Sequence, residues 1–371
     1  MGDNSVQSDD TVRTVRIGSR KSRLAVIQTE SVVTRLQEVY GQHKYAFTIK
    51  TMSTTGDNIH DIPLAKIGEK ALFTRELEAE LLDHRIDVIV HSLKDLPTTL
   101  PEGCVIAAVT KREHPSDAIV LKSGLHLDNP FDVLLDTTGG TIGTSSLRRI
   151  AQLKRLNPEI KIADMRGNLN TRLAKLDAQS SGYSALILAS AGLKRLEFND
   201  RISGQLWDDW FYAVGQGALA IETRAGDTAT MDLLKPMIDL RATYECLAER
   251  TFMQQLEGGC SVPIGVRSSW NTGANDHNED NRWLLTLEGV VLSVDGVQKV
   301  DNKITIDLDD KLVNANIDNT GCPFNYTGIA ISQMTDHTVI NRLRNSAIVG
   351  YELAQSLIES GAKHILNAIK H

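Results

Sequence analysis

Three junctions in this sequence gather arginines, small hydroxyls and glycines where a strand-like run gives way to a helix-like one. Residues 17–22 read Ile-Gly-Ser-Arg-Lys-Ser, residues 143–149 read Gly-Thr-Ser-Ser-Leu-Arg-Arg, and residues 166–172 read Arg-Gly-Asn-Leu-Asn-Thr-Arg. A helix start exposes backbone N–H groups that no internal acceptor satisfies, and it favours negative charge. Ser22 is placed to cap the first of these helices. Arginine adds a planar fork that matches two oxygens of a carboxylate or phosphate. One such junction could be an ordinary turn, but three together argue for an anion site. None has the spacing of a Walker A loop or of a GxGxxG dinucleotide fingerprint. Phosphate and carboxylate both stay open at this point.

Two other segments carry reactive residue types. His91-Ser92-Leu93-Lys94-Asp95-Leu96-Pro97 follows a short apolar run. It therefore falls at a carboxyl strand end, where open α/β sheets bind their ligands. An aspartate there is often a turn former, and His91 fits a core position as well as a site. Gly258-Gly259-Cys260-Ser261-Val262-Pro263 allows a sharp turn that presents a thiol. An exposed loop cysteine can be a nucleophile or a passive thiol. Val214-Gly215-Gln216-Gly217-Ala218-Leu219 sets two glycines around Gln216 before a strand, which suits a hinge.

The elements that must position these residues follow from periodicity. Strands are expected at 14–18, 45–52, 87–91 and 104–109, with helices at 22–39 and 74–84. The first helix shows Ala25, Val32, Leu36 and Val39 on one face. A second unit repeats the design, with strands at 141–143, 160–165 and 185–189 and helices at 145–156 and 168–179. Strands alternating with helices predict a mainly parallel sheet covered on both faces. Two such units predict two lobes with a cleft between them. The last third differs: a helix at 242–256, a hairpin of 283–294 and 297–306 around Asp295-Gly296, and closing helices at 339–358 and 362–369. Residues 271–282 are polar and read as a surface loop.

Bulk properties exclude several classes. The chain has 371 residues, enough for two or three domains, and a net charge of −7, which disfavours general affinity for nucleic acid. Residues 143–175 nevertheless hold eight cations against Glu159 and Asp164. Cys104, Cys246, Cys260 and Cys322 are far apart, which fits neither a disulfide framework nor a zinc site. The polar, acidic start lacks the features of a signal or transit peptide, and no run reaches the roughly 18 apolar residues of a membrane span. A cytoplasmic protein is expected, with no metal, nucleic-acid or membrane partner.

Taken jointly, IGSRKSRLA, STTGD, KIGEKALFTRELE, HSLKDLPT, GTSSLRRIAQL, RGNLNTRL, AGLKR, VGQGAL and LEGGCSVPIG resemble the hydroxymethylbilane synthase (porphobilinogen deaminase) family, in the family's order and over nearly the whole chain. Ser19, where the family is expected to carry threonine, is a conservative departure. The resemblance implies a transferase that condenses four porphobilinogen molecules head to tail, releases ammonia at each step, and frees linear hydroxymethylbilane by hydrolysis. It implies a dipyrromethane cofactor on Cys260 through a thioether, and Asp95 as the catalytic carboxylate that stabilises an azafulvenium cation. Lys94, Ser145, Arg148, Arg149 and Arg172 are implied for the cofactor. Arg20, Ser22, Arg166, Gln216, Ser92 and, as a ring-stacking neighbour, Phe73 are implied for the substrate. The implied fold is two α/β lobes of the type II periplasmic-binding-protein kind plus a small α+β C-terminal domain. Lobe 1 would take residues 1–113 and 217–238, lobe 2 residues 114–216, and the third domain residues 239–371, in a monomer. Acetate and propionate groups on every pyrrole explain why an acidic protein concentrates arginine. The rival readings are a non-catalytic two-lobed anion receptor and a nucleic-acid binder using the basic region.

Overall fold

A computed structural model describes residues 12–54, 74–136, 140–256, 262–270, 283–310 and 325–370. Cys260, Phe73 and the loop at 271–282 lie outside the described residues.

The chain opens with β1 (Arg13–Arg20), α1 (Arg23–Lys44) and β2 (Tyr45–Met52). Then come α2 (Arg75–Leu82), β3 (Val88–Ser92) and β4 (Cys104–Val109). A second run supplies β5 (Asp117–Leu121), β6 (Thr141–Gly143), α3 (Leu147–Leu156), β7 (Lys161–Ala163), α4 (Leu169–Asp177), β8 (Tyr183–Ala189), α5 (Ser190–Arg195) and β9 (Gly204–Leu206). After them come β10 (Leu219–Arg224), α6 (Thr228–Leu233), α7 (Leu240–Gln255) and β11 (Ile264–Trp270). The hairpin β12 (Leu284–Leu292) and β13 (Lys299–Asp307) precedes α8 (His337–Glu359) and α9 (Ala362–Lys370).

These strands form two five-stranded sheets, ordered β2-β1-β3-β10-β4 and β7-β6-β8-β5-β9, and a three-stranded sheet β11-β12-β13. The two larger sheets share one topology. In each, a single strand runs against the rest: β10 is antiparallel to β3 and β4, and β5 is antiparallel to β8 and β9. Each sheet is mainly parallel, as expected, with one reversed strand. The physical reason is connectivity. The reversed strand of each sheet is the one that has just crossed from the other sheet, so it enters without a covering helix that would restore its direction.

The two crossings, residues 110–116 and 207–218, run side by side. Thr110 N donates to Leu219 O at 3.0 Å and Glu113 N to Gly217 O at 3.2 Å. Gly217 has φ +93°, and a Cβ there would lie 2.2 Å from Glu113 O. Only glycine allows this approach.

The largest apolar core joins Leu93, Leu96, Ile106 and Val109 of the first sheet region to Tyr244, Leu247 and Phe252 of α7 and to Leu343 and Leu353 of α8. Gly350 lets α8 approach α7, since a Cβ there would meet Ala248 O at 2.1 Å. The apolar face of α1 is shorter than expected. Ala25, Val32 and Leu36 are buried, whereas Val39 is 42% exposed; two residues further on, at Gly41, φ and ψ are non-helical.

Candidate functional site

Asp95 sits at the end of a short 3-10 turn, Leu93–Asp95, directly after β3. Its side chain is exposed, while Leu93 and Leu96 on either side are buried. Burial of these two leucines fixes the turn and leaves the carboxylate pointing away from the core. Arg250, on α7 and fully buried, locks the other side: its Nη2 donates to Pro97 O at 2.7 Å and its Nη1 to Leu96 O at 3.2 Å. Burial lowers the Arg250 guanidinium to about 10. It divides its donors between carbonyls of the segment that carries Asp95 and Thr327, whose O accepts from Nη2 at 2.7 Å.

A pocket beside Asp95 is lined by Arg20, Ser22, Gln28, Thr74, His91 and Ser92, among others. Arg20 and Ser22 come from the β1–α1 junction, as expected. Ser22 stands at the N-cap of α1 but makes no side-chain cap bond, so its hydroxyl is not committed there. Gln28 Nε2 donates to Ser92 Oγ at 3.0 Å and ties α1 to β3. Sequence reasoning missed Gln28. Its signal was a polar residue at a buried position between Ala25 and Val32.

The second lobe brings its arginines toward the same place in two different states. Arg148 and Arg149 are buried and share one carboxylate, Asp117 of β5, at 2.8 and 2.7 Å. Asp117 also accepts from Trp210 Nε1 at 2.8 Å and from Gln216 Nε2 at 2.9 Å. Desolvation opposes its charge, but the two arginines outweigh this and hold it far below the usual carboxylate range. Arg148 is further occupied by Phe211 O. Arg149 Nε and Gln216 Oε1 are buried without a hydrogen-bond partner among the described residues. Ser145 is turned inward: its Oγ donates to Met165 O at 2.9 Å and accepts from Met165 N at 3.1 Å.

Lys94, Arg166 and Arg172 complete the cationic wall. Lys94 is half-buried. Burial and the Arg149 and Arg148 charges push its ammonium down to about 8, against the pull of Asp95 and Asp117. Arg172 is lowered to about 10, first by burial and then by Arg149, with Asp95 and Asp164 opposing. These couplings set Arg172 and Arg149 of the second lobe close to Lys94 and Asp95 of the first. Arg172 Nε donates to Gly167 O at 2.7 Å, and Arg166 pairs with the exposed Asp164 at 2.6 Å. Of the residues expected from sequence, Cys260 and Phe73 are outside the described residues. Asp117, Arg250, Thr74 and Glu222 went unnoticed, because their roles rest on long-range contacts that no local spacing reveals.

Two α/β sheets joined by paired crossings thus gather cations from both sides around Asp95, an arrangement whose chemistry suits a ligand rich in carboxylates. Comparison with known proteins gives the family. The family model described as porphobilinogen deaminase, dipyromethane cofactor binding domain, matches residues 15–232, and that of the porphobilinogen deaminase C-terminal domain matches residues 243–314. The chain is similar to the porphobilinogen deaminase of Nostoc sp., at 45% identity over 96% of this chain and 95% of the relative. It is similar to that of Saccharomyces cerevisiae, at 42% identity over 96% and 97%. The chain belongs to the porphobilinogen deaminase family. Among the described residues, no helix is long and apolar enough to cross a membrane.

Proposed function

We propose that this chain uses Asp95 as the catalytic carboxylate of a hydroxymethylbilane synthase, with the surrounding cations holding the carboxylates of cofactor and substrate. The family membership carries the reaction: stepwise condensation of four porphobilinogen molecules with loss of ammonia, then hydrolytic release of the linear product. The site assignment rests on one observation, an exposed aspartate that lines one pocket together with Arg20 and Ser22.

The residues fit a polyanionic pyrrole group. Arg149 Nε is buried and unpartnered, and Lys94 and Arg172 are cations held in a partly dry place. A carboxylate arriving there gives Arg149 Nε the partner it lacks among the described residues. A dipyrromethane cofactor, which we assign to Cys260, would supply the pyrrole carbon from which the chain grows. Arg20, Ser22 and Ser92 line the substrate side next to Asp95. Lys94, Arg149 and Arg172 face the cofactor side. Arg166 and Phe73 serve the growing chain. The Asp95 carboxylate stabilises the positive charge left on porphobilinogen as ammonia departs, and it accepts from pyrrole N–H groups. Arg148, Ser145 and Gln216 act one step back: their observed partners are Asp117, Met165 and Pro115, so they shape the wall that the cofactor meets.

The shared strand order supports assigning residues 1–113 with 217–238 to one lobe and 114–216 to the other, with 239–371 as the third domain. The test of the assignment is turnover of cofactor-loaded Asp95→Asn. Loss of condensation with the cofactor intact supports it, and turnover within a fewfold of wild type removes Asp95 from the role.

A further inference from the structure

Behind the Asp95 pocket lies a buried polar cluster that the reaction, as derived above, leaves unused. His91 of β3 and Glu222 of the returning strand β10 meet at 2.9 Å, with side chains 4% and 0% exposed. Register explains the pairing. Ala220 stands opposite His91 and Glu222 opposite Ile89, so the two side chains are diagonal neighbours on one face. Glu78 of α2, 3% exposed, packs over the same face, and its charge couples to Glu222 and His91. Glu78 Oε1, Glu222 Oε1 and Thr74 Oγ1 have no hydrogen-bond partner among the described residues. Two members of this group, His91 and Thr74, are also wall residues of the pocket that contains Asp95, Arg20 and Ser22.

We propose that Glu78 and Glu222 are positioning residues for the condensation: together they retain one proton behind the pocket, and they act on substrate binding through His91 and Thr74 in its wall. The argument is electrostatic. Two carboxylates in one dry site cannot both ionise cheaply, and the imidazole is the cluster's nearest possible counter-charge. Burial, and then the charge of Glu222, raise the Glu78 carboxyl to about 7, against the smaller effects of Thr74 and His91. The other groups facing the cluster are Glu76 on α2, Cys104 on β4, Arg224 on β10 and Arg250 on α7. Cys104 cannot serve as the acid, since burial and then Glu222 push its thiol up to about 12.

While the proton is held, the wall behind the pocket carries one negative charge fewer. Loss of the proton adds a charge that opposes the carboxylates of porphobilinogen. The effect belongs in KM rather than in kcat, because it acts on an anionic ligand and not on the bond that breaks.

This inference rests on the reading of the Asp95 pocket as the substrate site, and the experiment separates the two. KM and kcat for porphobilinogen are measured from pH 6 to 9 with cofactor-loaded wild type, Glu78→Gln, Glu78→Asp, Glu222→Gln and Asp95→Asn. In wild type, KM should rise about threefold to tenfold above pH 7, as expected for one charge near a partly screened site. Glu78→Gln should keep kcat and lose the rise. Glu78→Asp should restore it, and Glu222→Gln should move it to lower pH. An unchanged KM profile in Glu78→Gln overturns the inference, whereas near-normal turnover of Asp95→Asn overturns only the site assignment. Infrared titration of wild type covers the case in which a variant does not fold. A protonated carboxyl band present at pH 6 and gone by pH 9 supports the proposal, and its absence at pH 6 refutes it.

Discussion

Arg112 and Glu249 form a buried two-point ion pair, with Nη1 to Oε1 at 2.7 Å and Nη2 to Oε2 at 3.0 Å. Arg112 belongs to the first crossing between the lobes, and Glu249 to α7. The same pair reaches the second crossing as well: Arg112 Nε donates to Gln216 O at 2.9 Å, and Gly215 N donates to Glu249 Oε2 at 2.8 Å. Both hinge strands are therefore tied to the helix that leads toward Cys260. Arg112→Ala would leave Glu249 buried without its cation, and destabilisation of about 3–5 kcal/mol is expected. Denaturant unfolding checks this; a loss below about 1 kcal/mol would show that the hinge does not depend on the pair.

The mass of the purified protein tests the attachment at Cys260. It should exceed the sequence mass by two pyrrole units, and Cys260→Ser should show only the sequence mass. Fully active protein with unmodified Cys260 would exclude the assignment.

Asp95→Asn keeps the shape of the turn and removes the charge. Once loaded with cofactor by exposure to preformed hydroxymethylbilane, it should turn over roughly two to four orders of magnitude more slowly, about 3–5 kcal/mol of barrier. Single-turnover assays, with loading checked by mass, make the measurement.

The arginines should divide into two groups. Arg166 pairs with an exposed aspartate, so Arg166→Lys should leave the melting temperature within a degree or two and impair chain elongation. Arg148→Lys removes one of two guanidinium partners from a buried carboxylate and should unfold more easily, by about 1–3 kcal/mol. Equal melting temperatures for the two variants would contradict the role given to Asp117.

Asp117 and Glu78 predict opposite pH trends in stability. The Asp117 carboxyl is depressed in the folded state, so its contribution is present at neutral pH and fades as pH falls below about 4, the ordinary aspartate value. The Glu78 carboxyl is raised to about 7, so stability falls as pH rises from about 4.5 toward 7. Glu78→Gln should therefore gain in melting temperature relative to wild type at pH 8 and lose that gain at pH 5. Thermal scans of both proteins at pH 5 and pH 8 decide it.

What the sequence determined by itself was local. The strands at 45–52, 104–109 and 141–143 have the expected bounds, because alternation and apolar runs depend on neighbours along the chain. The three junctions, the Asp95 turn and the hinge glycines were also legible, since glycine, proline and arginine at fixed spacing constrain the backbone or the ligand directly. The tertiary structure decided which arginines keep charge available for a ligand. Arg148 and Arg149 are adjacent in sequence, yet both turn to Asp117, some thirty residues away, a partner that no local spacing points to. The same holds for Arg250 on the carbonyls after Asp95 and for Glu222 beside His91. Each of these contacts depends on the reversed strand or on the packing of α7 against the hinge. Burial then decides the charge state, because the cost of a charge depends on what surrounds it in space and not on what flanks it in the chain.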